Sequence, residues 1–221
     1  MRLYKGIKYV LRPLSIMLYM WTFPYRPYMV KKQCIFIHIP KVAGTSILSV
    51  LGHNKGRDHL PWYVYYTANP IRFERYYKFA FVRNPWERVY SAYCYLRSGG
   101  NKQSDLKLAK ILKQYSTFNE FVVKGLGKGL FRNHLMFIPQ SYFILGQNGV
   151  PVVNFLGRYE RLQNDFEKIC DRLEISSNLP QLNKSPQQIN DFREAYSSTE
   201  SIGIVEEIYK QDVKVFGYRF E

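Results

Sequence analysis

Lys41 and Arg83 are the residues whose setting in this sequence points most directly to chemistry. Each follows a short apolar run and precedes apolar residues at helical spacing. In Ile35-Phe-Ile-His-Ile-Pro-Lys41-Val-Ala-Gly44-Thr45-Ser46 the run stops at a proline, and Ile47, Leu48, Val50 and Leu51 open the periodic segment. That order reads as strand, tight loop and helix start. The unpaired N–H groups and positive dipole end of a helix start suit an anion. Gly44 lets backbone approach closely, and Thr45 or Ser46 is expected to cap the helix. The loop is not a Walker A motif, which needs lysine directly before the hydroxyl residue; Lys41 stands four positions before Thr45. Taken alone, the segment is equally an ordinary turn with a solvated lysine.

Lys78-Phe-Ala-Phe-Val-Arg83 is a second apolar run ending in a cation. Asn84 is the expected helix cap and Pro85 the first helical position. Trp86, Val89, Tyr90, Tyr93 and Leu96 then recur at helical spacing, with Ser91 two turns in. Arg83 therefore belongs at the carboxyl end of a strand, where open α/β sheets bind ligands. Two such strand ends, each with cationic and hydroxyl groups, imply a ligand with two anionic groups.

Proton transfer near neutral pH suits histidine, and the chain has four. His38 lies inside an apolar run and is expected to be structural. His53 follows the first helix and reads as a solvated terminal residue. His59 opens His-Leu-Pro in the connection between the two motifs, and His134 precedes Met-Phe-Ile-Pro-Gln140. No Asp, Glu, His or Cys cluster has metal-ligand spacing. Cys34, Cys94 and Cys170 are widely separated and odd in number, so buried free thiols are expected, with a weak lean to a cytoplasmic setting.

The elements that must position these residues are of the α/β kind. Cys34–Ile39, Lys78–Val82 and Val152–Leu156 are apolar on both faces, as buried parallel strands are. Helices are expected over 104–114, from a Ser116 cap to about Lys124, through Tyr159, Leu162, Phe166, Ile169 and Leu173, and from Thr199 to Phe216 with Gly217 as C-cap. Gly125, Gly127 and Gly129 read as a flexible link. Lys107, Lys110 and Lys113 follow helical spacing and read as a solvated face. The expected architecture is a three-layer α/β/α domain around a parallel sheet, similar to the P-loop nucleotide kinases. The strand order is not legible.

At 221 residues with 46% hydrophobic content the chain can bury a full core. The net charge of +15 attracts anionic partners: a nucleotide, an acidic polysaccharide, nucleic acid or a membrane surface. Ten Lys or Arg precede the first acidic residue, Asp58. Residues 1–33 read as an extension before a domain at 34–221. The uncharged run Pro13–Tyr25 is 13 residues, too short to span a membrane, which takes roughly 20. The extension reads first as an arm packed on the domain and second as a basic, aromatic membrane-surface contact.

On these two motifs the chain resembles the carbohydrate-modifying sulfotransferases in a compact bacterial-type form, which draw on 3′-phosphoadenosine 5′-phosphosulfate (PAPS). Phe36 to Ser46 resembles the family's 5′-phosphosulfate loop. Phe79-Ala-Phe-Val-Arg-Asn-Pro-Trp-Glu-Arg-Val-Tyr-Ser-Ala-Tyr93 resembles its 3′-phosphate motif, with Arg83 and Ser91 at the contact positions. Pro139-Gln-Ser-Tyr142, Gly157-Arg-Tyr-Glu160, Leu182-Asn-Lys-Ser185 and Phe216-Gly-Tyr-Arg-Phe220 follow in the family's order. The resemblance runs from about Cys34 to the C-terminus.

The resemblance implies that Val42, Ala43, Gly44, Thr45, Ser46, Arg83 and Ser91 bind the donor. It implies that the loop at Asn183, Lys184 and Ser185 folds over the nucleotide, so the glycosylation sequon there reads as chance. Lys41 is the candidate to stabilise charge on the leaving oxygen, and His59 the candidate base for the acceptor hydroxyl. His134 and Gln140 match positions near the acceptor. Arg158 reads either as a partner of Glu160 or as a site contact. No metal is implied. A sugar hydroxyl is the implied acceptor, and the charge favours an acidic glycan. A P-loop-like kinase is the alternative enzyme, but it needs Walker lysine spacing and an aspartate for magnesium. A basic nucleic-acid-binding module would fit the charge and the 19 tyrosines, but not the Lys41 and Arg83 motifs.

Overall fold

The computed structural model describes residues 23–53, 56–100, 103–180 and 191–221. The chain folds as α/β around a small sheet of three parallel strands: β1 (Cys34–Phe36), β2 (Tyr77–Val82) and β3 (Phe155–Arg158), in the order β1-β2-β3. Cys34 pairs with Tyr77 and Phe36 with Phe79; Phe79 pairs with Phe155 and Val82 with Arg158. Because every strand runs the same way, the residues after β1 and β2 and at the end of β3 lie along one edge. Lys41, Arg83 and Arg158 are those residues.

β1 and all of β2 after Tyr77 are buried on both faces, as their unbroken apolar runs require, whereas β3 is half-buried except at Gly157. Gly157 has a packing reason: a Cβ there would stand 2.4 Å from the Phe81 ring. The sequence places β3 three residues early. Val152 N–H donates to Ile144 O and Pro151 bridges Leu145, so the front of that apolar run closes a turn. Pairing with β2 begins at Asn154, whose N–H and side chain bond Lys78 O and Lys78 N–H, both at 2.8 Å. β1 is also shorter than expected, although Ile37 N–H still reaches Phe79 O at 3.0 Å.

The helices are α1 (Pro27–Lys32), α2 (Gly44–Val50), α3 (Trp62–Ala68), α4 (Pro70–Arg75), α5 (Pro85–Arg97), α6 (Gln103–Leu112), α7 (Phe118–Glu120), α8 (Ser141–Ile144), α9 (Leu162–Leu173), α10 (Thr199–Ile208) and α11 (Lys210–Phe216). Asn84 caps α5 as expected: its side-chain oxygen accepts from Trp86 and Glu87 N–H, with Pro85 following. Lys107 and Lys110 are exposed on α6, and Lys113 is exposed just beyond its end. Thr117 rather than Ser116 caps α7, and the chain then widens into a π-helical stretch, Phe121–Leu126. Gly125 is buried there against Tyr115 and Phe121, so it belongs to wound structure and not to a flexible link.

The expected final helix is two. It breaks at Tyr209, which is fully buried and donates its hydroxyl to Phe137 O at 2.7 Å. Gly217 closes α11 in the left-handed region, φ 64°. Residues from Tyr25 onward pack into the core: Tyr25, Tyr28 and Met29 are buried, and Arg26 pairs with Asp58. Position 33 therefore marks no break in packing. Among the described residues no helix is long and apolar enough to cross a membrane. The three cysteines are buried and free, as expected.

Candidate functional site

The loop after β1 is wound by residues in an uncommon conformation. Lys41 (φ 72°) and Ala43 (φ 61°) are left-handed without being glycine, a strain that neighbouring structure must hold. Gly44 is glycine for a reason the sequence hid. A Cβ there would lie 1.8 Å from His38 Nε2, so the imidazole of His38 occupies that space. Neither Thr45 nor Ser46 caps α2. Ala43 stands at the cap position, and its carbonyl accepts from Ser46 N–H at 3.0 Å and Ile47 N–H at 3.3 Å. The expected cradle of backbone donors is thus narrower, because the Ser46 amide is engaged. With α2 only seven residues long, side-chain cations must supply most of the positive field.

Those cations converge. Arg83 is 3% exposed; its Nη1 donates to Lys41 O at 3.2 Å, 42 residues away in sequence. Its Nη2 pairs with Glu87, and its guanidinium carbon lies 3.8 Å from the Tyr159 ring centroid. Arg83 Nε is buried with no hydrogen-bond partner among the described residues, a donor held in reserve. The Lys41 ammonium lies 4.3 Å from the Tyr95 ring centroid. Burial lowers its pKa to about 8, helped by the positive charges of Arg83 and Arg57. Arg57 is a residue that sequence reasoning missed. It sits two positions before His59, in a connection without periodicity, and only the fold brings its charge to bear on Lys41.

His59 stands next to this loop. Its Nδ1 lies 2.9 Å from His38 O, and the two imidazoles are 4.1 Å apart. A carbonyl only accepts, so Nδ1 carries the proton, and Nε2 of the neutral ring is left with its lone pair. His134 has the opposite arrangement. Its Nδ1 accepts from Met136 N–H at 3.4 Å, which puts the proton of the neutral ring on Nε2. Burial lowers the His134 pKa, with Asp105 opposing. His53 is half-buried, 5.4 Å from the Tyr28 ring, so it is more enclosed than its position suggests.

Ser91 is buried on α5, as its helical spacing implies. Gln140 is fully buried, and its amide is taken up by the site itself. Oε1 accepts from Arg83 N–H at 2.9 Å and Nε2 donates to Arg83 O at 2.8 Å. It therefore fixes the Arg83 peptide rather than presenting an amide to an acceptor. Asp212, also missed, holds Gln140 N–H at 2.7 Å and Ser141 N–H at 2.8 Å.

Arg158 does not pair with Glu160. It donates to Phe216 O and lies over the Tyr218 ring, while Glu160 accepts from Asn84 N–H at 2.6 Å and Tyr218 O–H at 3.0 Å. Asn183, Lys184 and Ser185 lie outside the described residues. Among the described residues no three His, Cys, Asp or Glu side chains cluster as metal ligands would.

The fold thus sets Arg83 against the Lys41 backbone with His59 next to that loop at the carboxyl edge of the sheet, in a positive field to which Arg57 adds, an arrangement suited to an anionic ligand and to proton transfer. A family model described as the sulfotransferase family matches residues 28–219. Comparison with curated proteins and with solved structures gives no match.

Proposed function

The chain belongs to the sulfotransferase family, and on that footing we propose that it transfers a sulfuryl group from PAPS to a hydroxyl of a carbohydrate, with a histidine as base. The reading takes the fold as the three-layer, P-loop-kinase-like kind, with the donor at the carboxyl edge of the sheet. The observation that carries it is Arg83 set against the Lys41 loop with His59 next to it, in a positive field to which Arg57 adds.

Both ends of the donor are anionic, and this edge is cationic, partly water-excluded and supplied with an unpartnered Arg83 Nε. When bound, PAPS supplies the sulfuryl group and a phosphate as leaving group. Arg83 and Ser91 hold the 3′-phosphate, and the backbone of Val42, Ala43, Gly44 and Thr45 faces the phosphosulfate. Lys41 meets the charge that grows on the leaving oxygen; a cation already in place there costs no reorganisation as the charge develops. His59 Nε2 takes the acceptor's proton, because His38 O keeps the other ring nitrogen protonated. Gln140 keeps the Arg83 peptide in place. The net charge of +15 favours an acidic glycan as acceptor.

The test is transfer of labelled sulfate from PAPS to a panel of neutral and acidic glycans. Transfer to an acidic member with release of 3′,5′-ADP is expected. Transfer to none of them, with no 3′,5′-ADP binding, would remove the reading.

A further inference from the structure

Lys41 has a seat that no motif points to. Its ammonium lies over the face of Tyr95, near the end of α5, at 4.3 Å from the ring centroid. The Tyr95 hydroxyl donates to Asp105 Oδ2 at 2.7 Å. Asp105 is 4% exposed and lies in the first turn of α6, where a carboxylate is favoured. Gly100 makes room for it: a Cβ there would stand 2.4 Å from Asp105 Cβ, and Gly100 has φ 67°.

We infer that Tyr95 and Asp105 are positioning residues for Lys41: the ring seats the ammonium, and the buried carboxylate holds the ring. The inference rests on the reading of Lys41 as the cation at the leaving group.

The charge balance around Lys41 supports it. Arg83 and Arg57 push its pKa down, while Cys94 and Asp105 push it up. Of that pair, with the Cys94 thiol pKa raised by burial, the carboxyl group is Asp105. Without it, a buried ammonium facing two guanidinium groups would lose its proton more readily. Asp105 also opposes the lowering of His134, so one carboxylate faces two of the residues that the sequence nominates for the site. The contact that ties it to Lys41 runs through the Tyr95 ring, which makes it a support and not a catalytic group.

The decisive measurement is the titration of Lys41 itself, followed by NMR on lysine-labelled full chain without donor, its signal assigned with Lys41→Arg. The parent should show an inflection near pH 8, and Asp105→Asn should move it down, the direction in which loss of a nearby opposite charge acts. The high-pH limb of kcat/KM should move down with it. An unmoved inflection in a folded Asp105→Asn protein would overturn the inference.

If that variant does not fold, Tyr95 decides. Tyr95→Leu should lower turnover about 3- to 30-fold, the range of one cation–π contact, with donor affinity kept. Tyr95→Phe, which retains the ring, should recover part of the loss. Parent-like turnover and Lys41 titration in both Tyr95 variants would equally overturn it. A shifted Lys41 inflection in a chain that transfers no sulfate would support the seat while removing the transferase reading.

Discussion

Two lysines at opposite ends of the sheet show what separates a structural buried cation from one placed for chemistry. Lys78 begins the core of β2 at the amino end and is 6% exposed. Its ammonium donates to Phe73 O at 2.8 Å, Tyr76 O at 3.2 Å and Glu74 O at 3.3 Å. Three carbonyls use its three protons, so the charge is matched by the protein and closes the end of α4. Lys41, at the carboxyl end, has no oxygen acceptor among the described residues; it faces an aromatic ring and two arginines. Both pKa values are lowered by burial first. Only Lys41 has a field that an incoming anion would relieve. Burial of a cation is therefore no mark of a site; the missing oxygen acceptor is.

The comparison can be broken by substitution. The largest effect is expected at the carboxyl edge, from the base. His59→Ala should lower turnover about 100- to 10,000-fold, the usual contribution of a general base, while 3′,5′-ADP still binds. His134→Ala, with the proton on the outward nitrogen of its neutral ring, should cost less. Steady-state rates for the pair decide this, and a near-parent rate in His59→Ala would return His59 to a loop residue.

Lys41→Ala comes next. Turnover at saturating PAPS should fall on the order of 100-fold, with the donor dissociation constant changing far less. Lys78→Met supplies the contrast. It leaves Phe73, Glu74 and Tyr76 carbonyls without their donor and should lower unfolding stability by about 1–3 kcal/mol, read by denaturant titration, with turnover per folded molecule unchanged. If Lys78→Met lost turnover as Lys41→Ala does, the two ends would not differ in kind.

The pH dependence sharpens the same contrast. In the free chain Lys41 is charged below about pH 8 and neutral above it, so kcat/KM should fall as pH rises through that value. Stability should move the other way. With the folded pKa below its ordinary 10.5, the folded chain binds fewer protons than the unfolded chain between about 8 and 10.5. The cost of burying the charged lysine is thus greatest below that window and is relieved as pH rises through it. Measured against Lys41→Met, the parent should gain stability from pH 7 to pH 10 while losing activity. A parallel rise or fall of the two would contradict the assignment.

What the sequence made legible follows from locality. The apolar runs of β1 and β2, the Asn84-Pro85 helix start and the Gly217 stop depend on residues next to one another, and each is found where the sequence places it, β1 ending early at Phe36. Features set by distant partners did not show. Gly44 makes room for the His38 ring, Gly157 for Phe81, and Gln140 holds a peptide 57 residues away. The same holds within the site. The strand ends announced Lys41 and Arg83, because a parallel sheet aligns its carboxyl ends. Arg57, Tyr95 and Asp105 reach Lys41 from an aperiodic connection, the end of α5 and the start of α6, and nothing in their spacing marks them. The missing helix cap has a similar cause: Ala43 adopts a left-handed conformation that no propensity favours.

The account turns on Arg83 and the edge it occupies, and calorimetry with two nucleotides tests it most directly. The parent should bind 3′,5′-ADP much more tightly than 5′-AMP. Arg83→Ala should lose roughly 1.5–3 kcal/mol for 3′,5′-ADP and almost nothing for 5′-AMP, which collapses the preference. Equal affinity of the parent for the two nucleotides would contradict a 3′-phosphate site at Arg83, and with it the reading of this edge as the donor site.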